Sequence, residues 1–183
     1  MGKVILGLTM SLDGYINDRS GDVGSLYPDL EALGKTDLLQ ESIKNTGAVV
    51  MGRHAYDMAQ GDFTGYEYQV PVYVVTHRIP ERGPEGENER LKFFFIDSGV
   101  QSVIDQAKIA AGDREVTVIG GASLFQQVLK AGLFDELQIG IVPILLGQGL
   151  RLFGPAGEQP LQLEKIRVID SPGRTDFIFR LIQ

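Results

Sequence analysis

The sequence contains no cysteine and only two histidines, and these absences exclude several kinds of chemistry. Without cysteine the chain has no disulfides, thiolate nucleophiles or cysteine metal sites. The two histidines, His54 and His77, are too few for a histidine-rich metal site. No apolar run has the length of a signal peptide or a membrane span, so we expect a soluble cytoplasmic protein. The net charge of −7 argues against nucleic acid or an anionic membrane as the main partner.

Two common nucleotide-binding motifs are also missing. The chain has no G-x-x-x-x-G-K-[ST] segment, which excludes a P-loop. It has no G-x-G-x-x-G segment either, because Gly147-Gln148-Gly149 is followed by Leu152 where the third glycine would stand. These two glycines are typical of a hairpin or loop turn, or they could bring backbone N–H groups near a substrate phosphate.

The 183 residues, 43% of them hydrophobic, suffice for one domain over residues 1–183. Helical patterns at Leu30–Ile43, after Ser98 as predicted N-cap, and after Gly121 alternate with strand-like runs, which predicts βαβ crossovers and a mainly parallel sheet. After Glu136 the helical patterns end, and the last runs are predicted to be antiparallel edge strands. The predicted strands are Lys3–Thr9, Ala48–Met51, Val70–Thr76, Leu91–Ile96, Glu115–Ile119, Leu137–Val142, Leu163–Ile169 and Asp176–Ile182.

The run Glu115–Leu129 is the most informative stretch, since a β-branched strand stops at Gly120-Gly121 and a helical pattern follows. Two glycines at this junction would leave backbone N–H groups uncovered at a helix N-terminus. A phosphate or a nicotinamide ring could lie against them without meeting a side chain. A tight strand-to-helix turn with no ligand is the alternative.

Two more predicted strands end in polar residues. One ends at Gly52-Arg53-His54 and the other at Thr76-His77-Arg78. If these strands are parallel, their ends lie on one edge of the sheet together with Gly120-Gly121. Arg53, His77 and Arg78 would then form a basic cluster on an acidic protein, and such a cluster suits a phosphate dianion.

These segments resemble known proteins. Val49–Tyr56 is similar to the Met-Gly-Arg-x-Thr-[Trp/Tyr] segment of the dihydrofolate reductase superfamily, and Val118–Phe125 to its second cofactor segment. Thr9–Ile16, Leu133–Leu137 and Val142–Gly149 resemble the reductase domain of the riboflavin-biosynthesis deaminase-reductases and their stand-alone bacterial relatives. The resemblance implies a three-layer α/β/α fold with a central mixed, mostly parallel sheet of about eight strands and an antiparallel C-terminal edge.

The resemblance also implies a function. It indicates an NADPH-dependent reductase, similar to 5-amino-6-(5-phosphoribosylamino)uracil reductase or to dihydrofolate reductase, that acts on a small pterin, pyrimidine or ribityl-type substrate. A homodimer is implied as well, with the late β-strands and the segment Ile144–Phe153 as its candidate interface. The alternatives are a non-catalytic nucleotide-binding protein on the same fold, or a true dihydrofolate reductase. Carried over by position, the cofactor-binding residues are Thr9, Tyr15, Ile16, Gly52, Arg53, His54, Thr76, His77, Arg78, Gly120, Gly121, Ala122, Ser123, Leu124 and Phe125.

Two carboxylates are candidate catalytic residues. Asp13 could orient a substrate or relay a proton, or it could form an Asx-turn with Gly14. Asp29 could hold a heterocyclic ring, or it could favour a helix start through the dipole.

The sequence also departs from the pattern of the superfamily. Ala55 stands where the family often has a phosphate-binding threonine, and no arginine near Val70 could bind a glutamate tail. Resemblance further predicts a cis peptide bond between Gly120 and Gly121.

Overall fold

A computed structural model describes residues 2–154 and 160–182. One eight-stranded sheet has the order β4-β3-β2-β5-β1-β6-β8-β7. All pairings from β4 across to β6 are parallel, whereas β8 is antiparallel to both β6 and β7, as predicted for the C-terminal edge. The strands are β1 (Val4–Ser11), β2 (Thr46–Gly52), β3 (Val72–Val75), β4 (Phe93–Ile96), β5 (Glu115–Ile119), β6 (Glu136–Val142), β7 (Leu163–Ser171) and β8 (Arg174–Leu181).

The helices lie against both faces of this sheet. They are α1 (Leu30–Gly34), α2 (Asp37–Asn45), α3 (Arg53–Met58), α4 (Val100–Ala111) and α5 (Ala122–Lys130). Alternating residues of β2 show the layering, because Ala48 and Val50 pack into one core with α4 and α5, and Val49 and Met51 into a second core with α2 and α3. The predicted three-layer α/β/α arrangement is therefore confirmed.

The helix predicted over Leu30–Ile43 is in fact two helices. α1 ends at Gly34, and Thr36 is extended (φ −68°, ψ 142°), with its hydroxyl accepting the Leu39 N–H at 3.4 Å. A threonine in this conformation caps a new helix, so the apolar periodicity continues across a break in the backbone.

The prediction of Ser98 as the N-cap of α4 was also wrong. The cap is Gly99 (φ +89°), whose carbonyl accepts the Val103 N–H at 3.2 Å. The Ser98 hydroxyl instead donates to Ser102 Oγ at 2.8 Å. At the end of α5 Gly132 has the left-handed φ of +63°, as predicted for a helix stop.

Within the described residues, no helix combines the length and apolar character that a membrane crossing requires.

Candidate functional site

The three polar strand ends meet at one edge of the sheet. β3, β2 and β5 are neighbours and run parallel, so the segments that follow them all line one cavity of about 850 Å³. We call it the basic cavity, because Arg53 and Arg78 supply its charged side chains and the imidazoles of His54 and His77 lie beside them. The predicted juxtaposition is confirmed, and it follows from the parallel register of these strands.

Arg53 holds two of these strand ends together. It lies in the first turn of α3, and its Nε donates to Asp57 Oδ1 at 2.7 Å. Its Nη1 donates to the Arg78 carbonyl oxygen at 2.6 Å. The buried hydroxyl of Thr76 also donates to that oxygen, at 2.9 Å, and accepts the Arg78 N–H at 3.2 Å. The loop after β3 is therefore fixed, while His77 and Arg78 remain exposed.

The glycine corner after β5 forms the floor of the basic cavity. Gly120 and Gly121 both have positive φ values, +73° and +82°. A Cβ on Gly120 would lie 2.5 Å from the Ala55 Cβ, so the two segments approach too closely for any side chain there. α5 begins at this corner, and no described side chain caps its N-terminus. Its first amides can therefore bind an anion.

The predicted cis bond between Gly120 and Gly121 was wrong. No peptide bond among residues 2–154 and 160–182 is cis. The sharp corner comes instead from two consecutive left-handed residues, a conformation that glycine reaches without a Cβ penalty.

A second cavity of about 850 Å³ adjoins the first. Residues from α1, α2, the loop 60–69, β6 and β8 line it, and its walls are mostly apolar and aromatic, with Leu33, Leu39, Phe63 and Tyr66 among them. The two cavities share five wall residues: Leu8, Thr9, Tyr27, Ala55 and Gly120. Molecules bound in the two cavities would meet at this shared wall.

Arg174 and Asp176 lie in the second cavity, and the sequence analysis did not find them. Arg174 Nη2 donates to Asp176 Oδ1 at 2.5 Å, and the two side chains are only 16% and 8% exposed. A signal was present, since Arg174 and Asp176 alternate in phase with the buried Ile178 on β8. Charged residues at inward positions of a strand are uncommon without a partner or a function.

Neither candidate catalytic aspartate is among the described residues that line the two cavities, although Tyr27 and Leu30, on either side of Asp29, line the second one. Asp29 caps α1, and its Oδ1 accepts the Ala32 N–H at 2.8 Å. Asp13 accepts the Ser11 hydroxyl at 2.6 Å and the amides of Leu146 and Gly147 at 3.1 and 2.7 Å. These bonds, that of Ser11 first, lower the pKa of Asp13 to about 2. The Asp29 cap matches the alternative of a carboxylate that favours a helix start. The Asx-turn expected at Asp13 is not formed, because the Tyr15 N–H donates to Ser11 Oγ at 2.9 Å instead. The catalytic roles stay predictions.

The other predicted cofactor residues divide into two groups. Thr9, Ile16, Ala122, Ser123 and Leu124 line the basic cavity. Tyr15 instead lies beneath Arg151, whose guanidinium carbon is 4.7 Å from the ring centroid, and Phe125 is 1% exposed in the core. In the predicted interface segment, Leu145, Leu150 and Phe153 are 73%, 47% and 40% exposed, and Pro155–Gln159 beyond it lies outside the described residues.

The chain belongs to the RibD C-terminal domain family, which it matches over residues 2–172. The uncharacterized protein YyaP of Bacillus subtilis is 27% identical over 159 residues, covering 82% of this chain and 80% of YyaP. The riboflavin biosynthesis protein RibD of Corynebacterium ammoniagenes is 29% identical over 153 residues, covering 81% of this chain and 43% of that protein.

Solved structures share the fold. A Shewanella sp. PV-4 protein assigned to riboflavin biosynthesis is 27% identical, with a TM-score of 0.80 and 99% of each chain covered. Dihydrofolate reductase from Enterococcus faecalis, complexed with NADP(H), is 17% identical, with a TM-score of 0.63 over all of this chain and 98% of that one. The fold is thus dihydrofolate reductase-like, as the motifs predicted.

Proposed function

We propose that this protein is an NADPH-dependent reductase that acts on a small heterocyclic substrate. One observation carries the proposal: a basic, glycine-floored cavity and a mostly apolar cavity meet at a shared wall of five residues. A hydride transfer needs two ligands whose reacting atoms lie side by side and away from water. Membership in a family named for RibD, and relatives assigned to riboflavin biosynthesis, support the same reaction class.

The basic cavity fits a phosphorylated dinucleotide. The first amides of α5 and the Gly120-Gly121 corner would hold the pyrophosphate, because a backbone without side chains lets it approach closely. Arg53, Thr76, His77 and Arg78 would surround the 2′-phosphate, which distinguishes NADPH from NADH. When bound, the reduced nicotinamide supplies a hydride.

The protein's own residues would orient and enclose the reactants. Thr9 and Tyr27 line both cavities and so would contact both molecules near the point of reaction. Leu8 also lines both cavities, and its apolar side chain and that of Leu33 would keep water from the reacting atoms.

Cofactor titration of matched variants tests the proposal. NADPH and NADH are titrated by fluorescence against the unmutated protein, Arg78→Ala and Arg90→Ala, where Arg90 is an exposed arginine outside both cavities. A charge-assisted hydrogen bond is worth about 1.5–3 kcal/mol, so Arg78→Ala should weaken NADPH about tenfold or more and leave NADH nearly unchanged. Arg90→Ala should change neither affinity. Equal affinity of the unmutated protein for the two cofactors would contradict the assignment.

A further inference from the structure

We propose that the second cavity selects substrates without an anionic group, so that this protein reduces an uncharged or cationic ring and rejects phosphorylated or carboxylated analogues. The inference rests on the proposed function in one respect, since it takes the second cavity to be the substrate site. A structural neighbour from Thermotoga maritima is named as a 5-amino-6-(5-phosphoribosylamino)uracil reductase, and the substrate in that name carries a phosphate. The inference is that this chain has a different substrate preference.

The charges lining the second cavity carry the argument. The described lining residues include three carboxylates, Asp62, Glu67 and Asp176, and a single guanidinium, Arg174. The cavity therefore has an excess of negative charge, the reverse of the basic cavity. An anionic substrate entering it would leave water and meet net repulsion.

Arg174 is not an unpaired cation that could bind an anion. Its Nη2 is paired with Asp176, and both side chains are largely buried. Its buried Nε has no hydrogen-bond partner within the described residues, and a neutral acceptor such as a ring carbonyl oxygen would satisfy it. Its position depends on Gly140 of β6, the register partner of Asp176, because a Cβ there would lie 1.8 Å from Arg174 Nη2. The glycine leaves the space in which the guanidinium lies across the neighbouring strand. A phosphate would have to displace a carboxylate that the fold already holds in place.

Asp62 and Glu67 lie at the exposed edge of the same cavity. The Thr64 N–H donates to Asp62 Oδ1 at 2.9 Å, and this bond lowers the pKa of Asp62, which is therefore ionised at neutral pH. Arg82 lies close enough to act on Asp62 but forms its ion pair with Glu85. A substrate tail leaving the cavity on this side would pass two carboxylates.

The wall shared by the two cavities has no cationic side chain that could bind an anion in place of Arg174. Leu8, Thr9, Tyr27, Ala55 and Gly120 have no cationic side chain, and the cations beyond them would bind the cofactor phosphates. Arg174 and Asp176 also lie after residue 172, where the match to the family ends. Family membership therefore does not decide what this end of the cavity binds.

Binding of a matched pair of compounds tests the inference. The pair is 5-amino-6-(5-phosphoribosylamino)uracil and the same compound without its phosphate, each titrated by calorimetry into the protein saturated with NADP⁺. We expect the compound without phosphate to bind at least about tenfold more tightly, which corresponds to about 1.4 kcal/mol. Glu67→Lys should strengthen binding of the phosphorylated compound about fivefold and leave the affinity for the compound without phosphate unchanged.

Asp105→Lys is the control, because it makes the same charge change on the exposed side of α4, which lines neither cavity. It should leave the ratio of the two affinities unchanged. Equal or tighter binding of the phosphorylated compound to the unmutated protein would overturn the inference, and so would failure of both compounds to bind at about 1 mM. A separate NADPH titration decides the proposed function, so the two can fail independently.

Discussion

The two cavities adjoin at a common wall, yet they carry opposite charge and come from different kinds of sequence. The basic cavity is built largely from short contiguous segments that follow β2, β3 and β5. The second cavity takes its walls from α1, α2, a long loop and two late strands, with residues far apart in the chain. Under the proposed function, these local segments would bind a cofactor common to many enzymes, and the second cavity would bind the substrate and could change one element at a time.

The largest effect is expected at the wall that both cavities share. Gly120→Ala puts a Cβ 2.5 Å from the Ala55 Cβ on a backbone with φ +73°. The left-handed conformation costs about 1–2 kcal/mol and the overpacking about 1–3 kcal/mol, so the free energy of unfolding should fall by about 3 kcal/mol. Ligand binding in both cavities should weaken. Denaturant unfolding and NADPH titration measure the two effects.

A double mutant separates the steric cause from the backbone cause. Ala55→Gly removes the methyl group that the new Cβ would meet, so Gly120→Ala/Ala55→Gly should recover part of the lost stability beyond additivity. Gly121→Ala is the comparison, since its Cβ would lie 3.5 Å from Gly52 Cα, an ordinary contact. If Gly121→Ala destabilises the protein as much as Gly120→Ala, close packing against Ala55 is not the reason for the glycine.

A smaller effect, confined to the second cavity, is expected from Asp176→Asn. The substitution leaves Arg174 charged, 16% exposed and without its carboxylate. Breaking a buried pair costs about 3–5 kcal/mol, and the partial exposure of Arg174 reduces this to about 2 kcal/mol. NADPH affinity should stay within about twofold, because Asp176 does not line the basic cavity as described.

Asp105→Asn serves as the control for this variant, since Asp105 is exposed on α4. It should change the free energy of unfolding by less than about 0.5 kcal/mol. A loss of NADPH affinity in Asp176→Asn as large as the loss in Arg78→Ala would show that the two cavities are not independent.

The sequence predicted the basic cavity well and the second cavity poorly. Apolar runs predicted each of the eight strands in the described part of the chain, and three of these runs ended in the segments that form the basic cavity. The second cavity was not predicted, because neither the loop 60–69 nor the inward face of β8 carries a sequence motif that indicates a binding site. Arg174 and Asp176 had only an alternation in phase with Ile178 to mark them. Pairing across Gly140 is a tertiary contact that local patterns do not encode.

Two local errors have equally physical reasons. Apolar periodicity ran through Lys35 and Thr36 although the backbone breaks there, because Thr36 can cap a helix as well as continue one. The cis bond was carried over by resemblance, whereas in this chain two glycines with positive φ make the corner. The motif identified the place correctly but did not determine the backbone conformation.

The smallest effect is expected at Asp13, which lies outside both cavities but fastens the segment before Ile16 and Asn17, residues that line only the basic one. Its pKa is lowered from 3.8 to about 2, so its stabilising contribution is present above pH 3.8 and is lost as the pH falls through about 2. Asp13→Asn places an amide where the carboxylate accepts three donors, and at neutral pH it should lower the melting temperature and slightly weaken NADPH binding. Thermal unfolding of both proteins from neutral pH to pH 2 checks this, with Asp105→Asn as the control. The difference between Asp13→Asn and the unmutated protein should shrink in that acid range; a difference that is constant with pH would mean that the carboxylate charge does not fasten the segment.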